Sequence, residues 1–360
     1  MSHFKKTLLG AVIAATTMAA GTAHAYMIGD PNDANVEVYG VVSISAVDYN
    51  AKKFDGGEEV DGDGMVLENE SRVGFRAAKT MNDNIEAFMQ IESGWVLDDG
   101  AKLGNRDTFV GFRGDDWGSV RFGRMLTPMY ELVDWPYSAS NMGTTFDRGW
   151  RAGERFNFDR KSQMGRYDSP MFGDMVKFSL AGGNGSSNSA DSMFIGGSVS
   201  VTPIDRLTLH AAFEAANETE FDAGLLGDTS AYFGGFQFNL MDNWNVAGAY
   251  KTAGFEAEEK GGAYEERDIN AFSLQTNYFM GDFNFRLGYA NQTGDTDNKS
   301  DKELDFTTVT GEVGYSMNSV YTFVRIAQHS GTYREGSTTA DLQGKEYDDL
   351  MIRIGTEWTF

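Results

Sequence analysis

From Val36 to Tyr49 the chain changes character at every step. Val36, Val38, Gly40, Val42, Ile44 and Ala46 fall on one face, while Glu37, Tyr39, Ser43 and Ser45 fall on the other. A repeat of two is the signature of a strand that is apolar on one side only. The stretch from Ser71 to Ala77 repeats it, with Val73 and Phe75 on one face and Arg72 and Arg76 on the other. Segments of the same kind recur at about 84–95, 106–113, 119–124, 165–169, 175–181, 193–202, 207–216, 230–240, 244–252, 269–279, 283–291, 306–316, 320–329 and 350–360, which predicts sixteen strands and an all-β fold.

The connectors alternate in length. Short turns such as Asp115-Asp116-Trp117, Phe172-Gly173-Asp174, Met241-Asp242-Asn243 and Met280-Gly281-Asp282 take turns with longer acidic loops at 52–68, 217–228, 255–268, 292–305 and 331–349. Hairpins with turns at one end and loops at the other describe a transmembrane antiparallel β-barrel. Aromatic residues gather near strand ends, at Trp95, Trp117, Trp244, Tyr278, Tyr289, Tyr315 and Trp358, where such barrels meet the membrane interface.

One connector breaks the pattern. The stretch from Gly123 to Arg166 is far longer than its neighbours, and loops beyond about 12 to 15 residues are uncommon and usually functional. It mixes acids, arginines (Arg148, Arg151, Arg155 and Arg160 among them) and many aromatic rings, and rings are what a disordered segment lacks. The composition therefore predicts an ordered insert folded into the barrel and narrowing it; a loop packed on itself at the outer surface is the alternative. Glu131, Asp134 and Asp147 are the candidate loop acids. Tyr130, Trp135, Tyr137 and Trp150 could stack sugar rings, or could simply pack the insert against the wall.

Composition narrows the class further. Lys5 and Lys6 precede an apolar run from Leu8 to about Ala20, and small residues surround Ala25, so residues 1–25 read as a secretory signal peptide and 26–360 as the barrel domain. Forty-three Gly and only five Pro suit many strands and turns. A net charge of −23 excludes a nucleic-acid binder, which needs a basic face. With no Cys there is no disulfide or thiol chemistry, and the lone His210 and His329 build no zinc site. Asp295 to Asn298 resembles the start of a calcium loop, but Lys299, Ser300 and Phe306 stand where its remaining ligands and glycine belong. No metal and no cofactor are expected.

The chain closes on Met351 to Thr359 followed by Phe360, similar to the assembly signal of Gram-negative outer-membrane proteins. Val38-Tyr39-Gly40, Ser71 to Phe75, Phe109 to Phe112, Gly123-Arg124 and Arg166 to Pro170 together resemble the general bacterial porins over essentially all of residues 26–360. That resemblance implies a homotrimer in the outer membrane, in contact with lipid and lipopolysaccharide, passing ions and small hydrophilic solutes. It also implies that Arg72 and Arg106, and more loosely Arg160, face a constriction, to which Arg76 and Arg121 are added as wall arginines. Two positions depart from the family's pattern: Pro136 is followed by Tyr137 instead of an acid, and Val41 follows Tyr39-Gly40 where a basic residue is common. An oligosaccharide-selective channel, a barrel adhesin or enzyme, and a soluble secreted β protein remain the alternatives.

Overall fold

A computed structural model describes residues 26–28, 35–55, 58–60, 64–94, 102–147, 160–185, 192–222, 225–258, 264–296, 304–333 and 345–360. Among these residues, sixteen strands form the wall: β1 Asn35–Asp55, β2 in two parts at Gly64–Asn69 and Arg72–Asn82, β3 Ile85–Gly94, β4 Thr108–Gly114, β5 Gly118–Leu126 and β6 Arg160–Asp168. They continue with β7 Val176–Asn184, β8 Met193–Ile204, β9 Leu207–Asp222, β10 Leu225–Met241 and β11 Trp244–Glu258. The wall ends with β12 Tyr264–Met280, β13 Phe283–Thr296, β14 Leu304–Met317, β15 Val320–Tyr333 and β16 Lys345–Thr359. Each strand pairs antiparallel with the next, and β16 returns to β1 from Tyr347↔Lys53 to Thr359↔Val41. The ring therefore has no open edge, the one arrangement of strands that leaves no backbone group unpaired in lipid.

The seam is sealed at the last residue. Phe360 and Gly40 exchange both backbone hydrogen bonds at 3.0 Å. A Cβ on Gly40 would lie 2.6 Å from the Arg72 carbonyl and 2.7 Å from the Phe360 ring, so only glycine fits there. The signal-peptide region and Trp150 lie outside the described residues.

Alternation decides what each face meets. On β14, Val309 and Val313 are exposed while Thr308, Thr310 and Glu312 are buried; on β16, Ile352 and Ile354 are exposed around a buried Arg353. The apolar side points outward and the polar side inward, the reverse of a soluble barrel, so the outer surface is built for lipid. Trp244 packs against Tyr278 and Phe283 against Tyr315 beside the short turns, with ring centroids 6.0 and 5.0 Å apart.

Several strands are longer than their apolar pattern predicts. The ladders of β9 and β10 run through most of 217–228, and β1 runs on to Asp55. Beyond the lipid, side chains need not alternate, yet the backbone still gains from pairing. In the other direction, Arg106 belongs to the turn before β4 instead of to the strand.

Candidate functional site

The long connector is shorter than the sequence suggests, because β5 continues to Leu126 and β6 already begins at Arg160. Thr127 opens it: its hydroxyl accepts from the Tyr130 N–H at 3.2 Å, and Pro128 starts helix α1, Pro128–Leu132. A wide turn, Val133–Tyr137, follows, broken at Trp135 where the backbone is extended. Ser140 and Asn141 then take left-handed conformations, φ 57° and 71°, and reverse the chain into the short turn Met142–Thr144.

Met129, Tyr130, Val133, Tyr137, Met142 and Phe146 bury themselves against inward-facing residues of the wall, chiefly alanines on β9 to β13 together with Phe233 and Ile269. Fully burying a side chain of this size contributes about 1.5 to 3 kcal/mol, so the packing is the main force that holds the segment. Small wall residues make the room. A Cβ on Gly235 would stand 2.8 Å from the Tyr137 ring, and one on Gly288 would stand 2.5 Å from Met142 Sδ. Polar contacts complete the seat. The Gln275 amide donates to the Pro136 carbonyl, and Thr145 and Thr308 share a hydroxyl hydrogen bond at 2.5 Å. Arg325 donates to Asn141 Oδ1 at 2.8 Å, and the Arg286 guanidinium lies 5.3 Å from the centre of the Trp135 ring. The segment thus runs along the inner face from β7 round to β15.

The three loop acids have different fates. Glu131 is exposed and takes a 2.6 Å ion pair from Arg166, a wall residue itself buried. Asp134 is exposed and within electrostatic reach of Arg106. Asp147 corrects the expectation of a lumen-facing acid. It is buried and accepts a hydrogen bond from the Tyr130 hydroxyl at 3.1 Å. Two of the aromatic candidates are corrected as well: Tyr130 and Tyr137 are buried and offer no free face to a sugar. Burial also raises the Tyr137 pKa. Trp135 alone among the described candidates is only half-buried.

The wall arginines gather on β2 to β6. Arg72 lies within electrostatic reach of Glu92 and Glu357. Arg76 pairs with Glu37 at 3.4 Å and lies 3.9 Å over the Tyr39 ring. Arg106 pairs with Glu92 and Arg160 with Asp107, both at 2.5 Å. Burial would depress the Arg106 pKa, but the Glu92 hydrogen bond and charge, with Asp107 and Asp134 adding less, raise it, so this cation is permanent. Arg121 pairs with Asp168 at 2.6 Å, near the short-turn end of β5.

Further charged residues on the inner wall escaped the sequence reading: Arg166, Arg286, Arg325 and Arg353, with their acids Asp168, Glu312 and Glu68. The signal was available, since Arg286 stands between Phe285 and Leu287 and Arg353 between Ile352 and Ile354, a charge on the polar side of an apolar strand.

Comparison with known proteins places this arrangement. The sequence pattern of the Gram-negative porins matches residues 10–332. The chain is 34% identical to a chitoporin of Vibrio furnissii, with 99% of each chain covered. Among solved structures it resembles an anion-selective porin from Comamonas acidovorans, with a TM-score of 0.68 at 18% identity over 91% of this chain and 100% of that one. It also resembles the trimer form of OmpT of Vibrio cholerae, with a TM-score of 0.71 at 16% identity over 91% of this chain and 99% of that one.

Proposed function

The chain belongs to the Gram-negative porin family, and on that premise we propose that the segment 127–147 sets the aperture of its channel, with loop acids on one side and wall arginines on the other. It is an outer-membrane porin. Its solutes are ions and small hydrophilic molecules that cross by passive diffusion through the water-filled lumen. The observation that carries the constriction is the contrast within one short segment: Tyr137, Met142 and Phe146 are fully buried against the wall, while Glu131 and Asp134 are exposed.

The opposing charges are Asp134 and Glu131 on the segment and Arg72, Arg106 and Arg160 on the wall, with Arg76 and Arg121 towards the short-turn end. Fixed charges of opposite sign across a narrow, wet passage orient dipolar solutes and disfavour apolar ones. The excess of 53 acids over 30 bases favours cations at the mouth, an effect that fades as salt shortens the Debye length to about 3 Å at 1 M. Ion-selectivity and conductance measurements on single channels in a planar bilayer, at low and high salt, test this reading. Cation preference that weakens with salt supports it; clear anion preference at low salt opposes it.

A second reading concerns the solute class. The Vibrio furnissii relative is called a chitoporin, and Trp135, beside Arg286, is only half-buried. An indole that is not fully buried is a residue on which a sugar ring stacks, so oligosaccharides are the solutes for which selectivity would be built. Blocking of the open-channel current by such sugars is the test.

The assembly is a homotrimer on this reading, supported by the likeness to a trimeric neighbour. Phe360 at the seam serves as the assembly signal, residues 1–25 are removed on export, and the acidic outer loops meet lipopolysaccharide through divalent ions.

A further inference from the structure

Glu312 projects inward from β14, and its side chain is fully covered. Its Oε1 accepts from the Tyr321 hydroxyl at 2.7 Å and faces Arg286 Nη1 at 3.2 Å, while Oε2 accepts from Arg325 at 2.7 Å (Nε) and 2.6 Å (Nη2). Both arginines reach past it to the connector. Arg286, from β13, places its guanidinium against Trp135; Arg325, from β15, donates to Asn141. The two points lie on either side of the buried anchor Tyr137, and Asn141, at the left-handed reversal of the chain, also donates from Nδ2 to Met351 Sδ on β16 at 3.0 Å.

We propose that Glu312 is a positioning residue for the channel aperture: one buried carboxylate fixes two arginines, which clamp the connector at Trp135 and Asn141. This rests on the reading that the connector sets the aperture. The physics is that of a shared counter-ion. Two guanidinium groups facing one carboxylate repel each other, and each is held away from open water, so the anion between them steadies both. Hydrogen bonds to a charged partner are also the strong and directional ones. Glu357 comes within electrostatic reach of Arg325, but its carboxylate hydrogen-bonds Ser43 at 3.4 Å, on the β1 side. Removing the Glu312 charge takes away the counter-ion the two guanidinium groups share and loosens both. The connector then keeps its apolar seat and its hydrogen bonds to Gln275, Thr308 and Met351 but loses its two arginine ties, and it fluctuates at the tip. Glu312 thereby governs the opening through the two arginines.

The test is single-channel recording of Glu312→Gln, Asn141→Ala and the double variant, with folded assembly checked by heat-modifiable migration on gels. Glu312→Gln is expected to raise open-channel current noise several-fold and to shift the reversal potential towards anions. Asn141→Ala, which alters no wall residue, raises the noise as well. The double variant is no noisier than the noisier single one, because both changes open the same clamp. A quiet Glu312→Gln channel, or noise in the double variant that multiplies the two single effects, overturns the proposal. If Glu312→Gln fails to assemble, Asn141→Ala decides alone: noise equal to the parent's overturns the clamp. Failure of the clamp is separable from failure of the aperture reading. In the first case shortening the connector still changes conductance; in the second it does not.

Discussion

Arg166 on β6 and Glu131 on α1 meet at 2.6 Å, and the arginine is the buried partner of the two. Arg166 also donates to the Leu126 carbonyl and to Asp168, so the root of the connector is fixed to the wall where it leaves β5. Glu131 is thus held by a wall arginine, and Asp134, exposed and within electrostatic reach of Arg106, is the acid expected to act most on passing ions. Changing Asp134 to Asn should therefore shift the reversal potential towards anions at low salt. It should cost little stability, since exposed ion pairs are worth about 0 to 1 kcal/mol. An unchanged reversal potential would place Asp134 away from the ion path.

Asp147 behaves differently because it is buried and bonded to the Tyr130 hydroxyl. Asp147→Asn weakens a buried, charge-assisted contact, and losses of this kind cost about 1 to 3 kcal/mol. A lowered urea midpoint in detergent with little change of ion selectivity is the expected result. A large selectivity change at unaltered stability would instead put Asp147 in the lumen.

Gly235 leaves the space that the Tyr137 ring fills. An alanine there sets a Cβ 2.8 Å from the ring, and a rigid ring cannot bend aside as a methionine would. The connector must lift off the wall, so Gly235→Ala should lower single-channel conductance while the barrel still assembles. Conductance equal to the parent's would mean that the ring relaxes without moving the chain around it.

Trp135 tests the solute class. If oligosaccharides stack on its ring, Trp135→Ala abolishes their blocking of the current and leaves the conductance for small ions close to that of the parent. Blocking that persists in the variant would remove Trp135 from any sugar path.

Much of this architecture is legible in the chain because lipid enforces it. A strand that faces hydrocarbon must alternate, so β14 announces itself through Val309 and Val313 set against Thr308, Thr310 and Glu312. Where the wall rises beyond lipid that pressure ends, and the upper parts of β9 and β10 read as loop although their backbones stay paired. Arg286, Arg325 and Arg353 were visible by the same alternation, as charges on the polar side of apolar strands. The fates of Tyr130, Tyr137 and Asp147 were not visible. Whether a residue of the connector turns to water or to the wall depends on what lies beneath it, and that is set by Ala249, Ala271 and Gly235, far away in sequence.

If residues 127–147 set the size of the passage, shortening the connector between Tyr137 and Trp150 must widen it. The wall strands keep their own hydrogen bonds, so the barrel should still assemble. Single-channel conductance of the shortened protein should rise above the parent's, and larger hydrophilic solutes should pass. A conductance equal to the parent's would place the connector outside the path of the current.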